Sequence, residues 1–316
     1  MPRRSGLIAL AAVAGPGVLA GLSDDDAAGI TTYSILGADY GYRLLWVLLL
    51  STLALVLFHE VGARMGIVTG QGLAGLIRER YGVRRAALAL AALLVANVGT
   101  TCAQFAGVAV ALDIADVPRY ASVPAAALLV STLVLRGSFH RVEHVLLLAG
   151  TIFGTYLVSG FLAGPDWTAA ARGLAVPELP LTRDAVLIAT ATVGTTLAPW
   201  GLAFIQSYAV DKRLTPADLR YESVDVVTGA VMTGVVGFFV VVACAATLNM
   251  SGRSIDDAGD AAAALEPLAG GLASAAELAM GQAGEVPAAI VRGYRVPAGE
   301  GSARDVVMPP ERDLFP

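Results

Sequence analysis

Three consecutive carboxylates, Asp24, Asp25 and Asp26, stand about halfway along an otherwise apolar stretch, residues 7–37. A charge at the centre of a bilayer costs roughly 2.5–3.5 kcal/mol on insertion scales, so such a group faces a wet cavity, binds a cation or is protonated. A second apolar stretch, 185–211, is interrupted in a similar way by Thr195-Thr196-Leu197-Ala198-Pro199-Trp200-Gly201. Gly29 and Pro199 make these interruptions affordable, one through backbone freedom and the other through a missing amide donor. An unwound turn frees main-chain carbonyls to face an ion. Carboxylate, carbonyl and water together are the ligands of hard divalent cations such as Mg²⁺, Ca²⁺ and Mn²⁺. Neither interruption contains Cys, His or Met, so nothing within them favours late transition metals. The bland alternative makes 23–29 an extramembrane loop. That places the loop too early for a full crossing, because 30–37 stays apolar and the next basic residue is Arg43.

Other polar residues carry weaker signals. Asn97, Thr101 and Gln104, spaced by four and three, share one helix face and are expected to look into a helix bundle as cavity lining or as interhelical hydrogen bonds. Trp200 is a further candidate for the cavity wall. His59, His140 and His144 fall near the ends of apolar runs, where a solvated surface is expected; Glu60 beside Arg64 reads the same way. Gly15-Pro16-Gly17 suits a kink with close packing better than a phosphate loop. Cys102 and Cys244 each lie within an apolar run, which suggests neither a disulfide framework nor a Cys-rich metal site. No nucleophile–base set and no cofactor motif is visible, so neither an enzyme nor a resident cofactor is expected. The expected partners are a divalent metal ion and the lipid bilayer, without nucleic acid.

These residues need helices that cross a membrane. The chain is 56% hydrophobic and only 15% charged, with a mean hydropathy of +0.69. Soluble domains carry about a quarter charged residues. Here long apolar runs alternate with short charged loops, and a bilayer accepts only backbone whose hydrogen bonds close internally. Seven spans follow: 7–37 (interrupted), 43–62, 86–112, 121–135, 144–163, 185–211 (interrupted) and 224–248. The loops between them set the orientation. With the N-terminus inside, Arg3, Arg4, Arg78, Arg80, Arg84, Arg85, Arg136, Arg141, Lys212, Arg213 and Arg220 lie inside, against Arg43, Arg119, Arg172, Arg183 and Arg253 outside. That bias predicts a multi-pass protein of the plasma (inner) membrane with a cytoplasmic N-terminus.

Spans one and six are broken at mid-depth, stand five spans apart and run in opposite directions. That is the signature of an inverted-repeat transporter. The expected layout is a first repeat over 1–163, an outer linker over 164–184 rich in proline, a partial second repeat over 185–273, and a non-membrane tail over 274–316. Apolar density falls after about Ala273, so the second repeat reads as incomplete and the tail as disordered or loosely attached.

At Gly15-Pro16-Gly17, at the acidic interruption, at Gly41-Tyr42-Arg43-Leu44-Leu45-Trp46 and at Arg64-Met65-Gly66-Ile67-Val68-Thr69-Gly70, the chain resembles the NRAMP divalent metal transporters. The resemblance returns around 192–201 and stops near 273. It implies an all-α membrane protein with a LeuT-type inverted-repeat bundle, helices 1 and 6 discontinuous. The family's first-helix Asp-Pro-Gly-Asn falls on Asp26-Ala27-Ala28-Gly29, and its sixth-helix Met-Pro-His on Ala198-Pro199-Trp200. Its third-helix acidic pair falls on Thr101 and Gln104. These departures resemble the NRAMP-related magnesium transporter branch, C-terminally truncated.

The resemblance implies a metal site of Asp26 as direct or water-mediated ligand, Asp25 and Asp24 as attractors, and carbonyls near Asp26 and Thr195. Gly29 and Ala198, in place of the family's Asn and Met, widen the pocket for a partly hydrated ion. Loss of the thioether removes softness, and loss of the acids and histidine removes a proton relay. The expected function is uncoupled transport of Mg²⁺, and also Mn²⁺. Two further readings stand beside it: a proton-coupled Mn²⁺/Fe²⁺ transporter, and a transport-inactive truncated relative such as a frameshift near 273 would produce.

Overall fold

The computed structural model describes residue 21 and residues 23–113, 117–136 and 153–250. Most of the leading half of the first span, the leading part of the fifth span (144–152) and the expected tail lie outside the described residues, as do His140 and His144. All the regular structure among the described residues is helical: α1 (Ala27–Tyr40), α2 (Leu45–Thr69), α3 (Leu73–Tyr81), α4 (Val83–Asp113), α5 (Arg119–Arg136), α6 (Gly154–Leu162), α7 (Trp167–Ala175), α8 (Arg183–Thr196), α9 (Pro199–Asp211) and α10 (Leu219–Cys244), which runs on through a π turn, Ala245–Asn249.

Both interruptions are present, and both are shorter than expected. Gly21, Ser23 and Asp24 are helical, the chain bends at Asp25, and Asp26 is extended at φ −74°, ψ 176° before α1 begins. The second interruption is confined to Leu197 (φ −103°, ψ 48°) and Ala198 (φ −61°, ψ 128°), with Pro199 as the first residue of α9. Proline fits there because the first amide of a helix has no intrahelical acceptor to lose.

Two expectations about the elements need correction. Span two does not end at 62. Glu60 and Arg64, one turn apart, pair with each other, and the helix continues to Thr69, where Gly70 at φ 65°, ψ 17° closes it. The outer linker is not all loop either: Asp166 accepts from the amides of Thr168 (2.9 Å) and Ala169 (3.0 Å) and starts α7 there.

Helix α10 organises the bundle, packing against α2, α1 and α6, while α2 also carries α9 and α8. The core between them is built from Tyr33, Leu36, Leu45, Leu48, Val240 and Val241 among others. Backbones meet closely where side chains are absent. A methyl group on Gly37 would overlap the Val241 carbonyl, so α1 and α10 touch main chain to main chain. Among the described residues four helical stretches are long and apolar enough to cross a membrane: Leu45–Thr69, Val83–Ala109, Arg183–Asp211 across its interruption, and Leu219–Asn249. The exterior of α4 is apolar and bare, with Leu88, Leu94, Val95 and Val98 all more than half exposed, as a lipid-facing surface requires.

Candidate cation site at the helix breaks

The first break gathers charge where there is almost no water. Asp24, Asp25 and Asp26 are 2%, 0% and 8% exposed. Asp26 Oδ1 accepts the Gly29 amide at 2.7 Å, which makes it the N-cap of α1 and explains why the helix restarts there. Neither carboxylate oxygen of Asp24 or of Asp25 has a hydrogen-bond partner. Buried carboxylates without partners are costly unless they are neutralised by a proton or a cation.

The second break faces the first. Tyr33 of α1 and Thr196 of α8 join through their oxygens at 3.0 Å. Thr196 already donates to the Thr192 carbonyl at 2.8 Å, so Tyr33 is the donor in that bond. A methyl group placed on Gly29 would lie 3.0 Å from the Asp24 carbonyl oxygen, 3.4 Å from Asp26 Oδ1 and 3.4 Å from Thr195 Oγ1. A carboxylate, a carbonyl and a hydroxyl from both breaks therefore surround one small space, kept open because residue 29 has no side chain. The carbonyl of Thr195 also lacks its helical donor, because the residue four positions on is Pro199. Among the described residues no group of three or more His, Cys, Asp or Glu side chains is arranged to hold a metal ion. An ion here depends on main-chain oxygens and water as well as on Asp26.

The remaining candidates divide. Gln104 reaches the site: it is buried, its Oε1 accepts the Ala27 amide at 3.2 Å, and its Nε2 has no partner. Thr101 donates to the Asn97 carbonyl within its own helix at 2.8 Å, and both residues are only partly buried. Ala198 and Trp200 pack in an apolar cluster with Ala63, Phe204 and Tyr208.

Comparison with known proteins places the chain in a family. The family model described as natural resistance-associated macrophage protein-like (Nramp) matches residues 17–284. The chain belongs to the Nramp family. It is 33% identical over 279 residues to a divalent metal cation transporter, MntH, of Burkholderia ambifaria, and 31% identical over 271 residues to an MntH of Acidiphilium cryptum. These alignments take in 85% and 81% of this chain but 63% and 61% of the relatives, so the chain spans less than two thirds of their length. Its fold matches the manganese transporter of Eremococcus coleocola, solved with an aromatic bis-isothiourea compound, at a TM-score of 0.74 and 23% identity, covering 93% of this chain and 67% of that one. A histidine-to-alanine variant of the same transporter matches at 0.76. The LeuT-type expectation for the bundle is thereby met.

Within this Nramp bundle one residue near the breaks departs from the sequence pattern. His59, for which the pattern predicts a solvated helix end, is 1% exposed. A methyl group on Gly201 would lie 3.1 Å from its Nε2 and 3.6 Å from Asp24 Oδ1. The sequence did carry a signal. His59, Gly62, Ala63 and Gly66 fall at i, i+3, i+4 and i+7, and all four are buried on the face that packs against α9. Small residues at that spacing mark a helix–helix seam, and a histidine on it points inward.

Proposed function

We propose that this Nramp chain conducts divalent metal cations across the plasma membrane through the junction of its two broken helices, with its N-terminus in the cytoplasm. Asp26 is the direct or water-mediated ligand, the carbonyls of Asp24 and Thr195 complete part of the shell, and Asp24 and Asp25 draw the cation in. The observation that carries this reading is the space at Gly29, bounded by oxygens of Asp24, Asp26 and Thr195 in the low-dielectric interior.

In our reading the preferred ion is Mg²⁺, with Mn²⁺ also accepted, and transport is not coupled to protons. Support comes from the oxygen-only donors around Gly29 and from Thr101 and Gln104 on α4, neither of which can carry a proton between sites. Movement would then follow the ion gradient and the membrane potential, which contributes about 2.3 kcal/mol per elementary charge per 100 mV and twice that for a divalent ion. A second reading, proton-coupled carriage of Mn²⁺ or Fe²⁺, is favoured by the relatives named as MntH and manganese transporters and by the buried His59. Proteoliposomes loaded with a pH-sensitive dye separate the two. Mg²⁺ and Mn²⁺ uptake without internal acidification is the expected result. Acidification in step with Mn²⁺ uptake would establish the second reading, and uptake no faster than in protein-free liposomes would refute both.

A further inference from the structure

Gly201 marks a second position at the junction, beside the side chain of Asp24 where Gly29 lies beside its carbonyl. Both His59 Nε2, from α2, and Asp24 Oδ1, from the first break, lie within 4 Å of the position a methyl group on Gly201 would take. Both side chains are at least nine-tenths buried, at 1% and 2% exposure. Both oxygens of Asp24 and the Nδ1 of His59 have no hydrogen-bond partner. A carboxylate and an imidazole that face one opening without bonding each other are an expensive arrangement, since each has lost its water and gained no partner. A cation between Asp24 Oδ1 and His59 Nε2 supplies the carboxylate's missing partner and takes the lone pair of the imidazole nitrogen that faces the opening.

We propose that His59 and Asp24 form a nitrogen–oxygen subsite for a divalent transition-metal ion, beside the oxygen-only position at Gly29 and distinct from it in ligand chemistry. The idea rests on the transport reading above and adds a discriminating element to it. Imidazole suits Zn²⁺, Fe²⁺ and Ni²⁺ best, and Mn²⁺, the weakest of the first-row ions in this respect, still takes nitrogen more readily than Mg²⁺, which keeps to oxygen and to its waters. An ion crossing between the breaks thus meets two positions that rank metals differently. The first accepts any hard divalent cation, and the second holds those that take nitrogen. Gly201 is what leaves room for the ion, as Gly29 does at the other position.

The test is pulsed electron paramagnetic resonance of Mn²⁺ bound to the purified full-length chain, read for modulation by a directly coordinated ¹⁴N. The chain has 3 histidines, so assignment is tractable. The expected result is a nitrogen signal that disappears in His59→Gln and persists in the His140→Gln/His144→Gln double variant. Gly201→Ala, which fills the opening and keeps the imidazole, is expected to lose the signal too, and it serves where His59→Gln fails to fold. Bound Mn²⁺ without nitrogen modulation, or modulation that survives both His59→Gln and Gly201→Ala, overturns the subsite and leaves the transport reading standing. Failure of the wild-type chain to bind Mn²⁺ at all overturns both.

Discussion

Asp26 combines two roles, helix cap and proposed ligand, and one pair of substitutions pulls them apart. Its carboxylate caps α1 through the Gly29 amide at 2.7 Å, which by itself accounts for an aspartate at this place. It is also the proposed ligand. Asp26→Asn keeps a good capping side chain and removes the charge; Asp26→Ala removes both. A lost cap costs about 1 kcal/mol, so the alanine variant should unfold at a lower temperature than wild type while the asparagine variant stays close to it. Binding should behave differently. With one water between ion and carboxylate, a separation of about 4 Å, a unit charge pair is worth about 1 kcal/mol in bulk water and about 4 kcal/mol at an effective dielectric of 20. A divalent ion doubles these, giving about 2–8 kcal/mol, and even the lower figure is about a 30-fold loss of affinity. Both variants should therefore lose Mg²⁺ and Mn²⁺ uptake in proteoliposomes, and only Asp26→Ala should lose stability. Wild-type flux in Asp26→Asn would mean that the carboxylate is a helix cap and nothing more, and the cation site at Gly29 would have to be abandoned.

Two further outcomes follow from the packing and the loop charges. Gly37→Ala drives a methyl group into the Val241 carbonyl, with Cys244 Cβ at 3.0 Å behind it, so the α1–α10 contact must open; overpacking of this kind costs about 1–3 kcal/mol, visible as a lowered unfolding temperature in detergent, and an unchanged midpoint would show that the two helices are not pressed together there. For orientation, single cysteines at two exposed positions, Glu79→Cys on α3 and Glu178→Cys after α7, in a background with Cys102 and Cys244 replaced, should be distinguished by a membrane-impermeant maleimide applied to intact cells; position 178 should label and position 79 should not, and the reverse pattern would invert the bundle.

The breaks could be read from sequence because their causes are local. A run of three carboxylates inside an apolar stretch and a proline inside another are incompatible with uninterrupted spanning helices, and the chain unwinds within one or two residues of each. The ends of α2 could not be read the same way. Hydropathy falls at Glu60 and Arg64, which suggested a boundary, yet the two charges bond each other at 2.6 Å and Ser223 donates to Glu60 at 2.7 Å, so the charged turn is accommodated and the helix extends by two more turns. That one misplaced boundary put His59 at a surface and hid it from the site. Helix α7 is hard to read for a different reason: 9 residues flanked by prolines are too short to show as a span, and a capping aspartate decides where they start.

The interplay of the two glycines bears on which metal this chain prefers. Around Gly29 every donor is oxygen, as the composition of the two breaks required, and by that criterion the site favours Mg²⁺ as readily as Mn²⁺. Around Gly201 the donors include an imidazole brought in from α2, which no inspection of the breaks alone could supply. Softness at the junction therefore need not come from a residue in the broken helices; a neighbouring helix can restore it. If the nitrogen is engaged, Mn²⁺ should outcompete Mg²⁺ at the His59–Asp24 subsite alone, with the oxygen position at Gly29 still open to Mg²⁺, and His59→Gln should shift the competition for bound metal toward Mg²⁺. A competition ratio that does not move in His59→Gln would leave the oxygens at Gly29 as the sole determinant of selectivity, and the choice between the two transport readings would fall back on proton coupling alone.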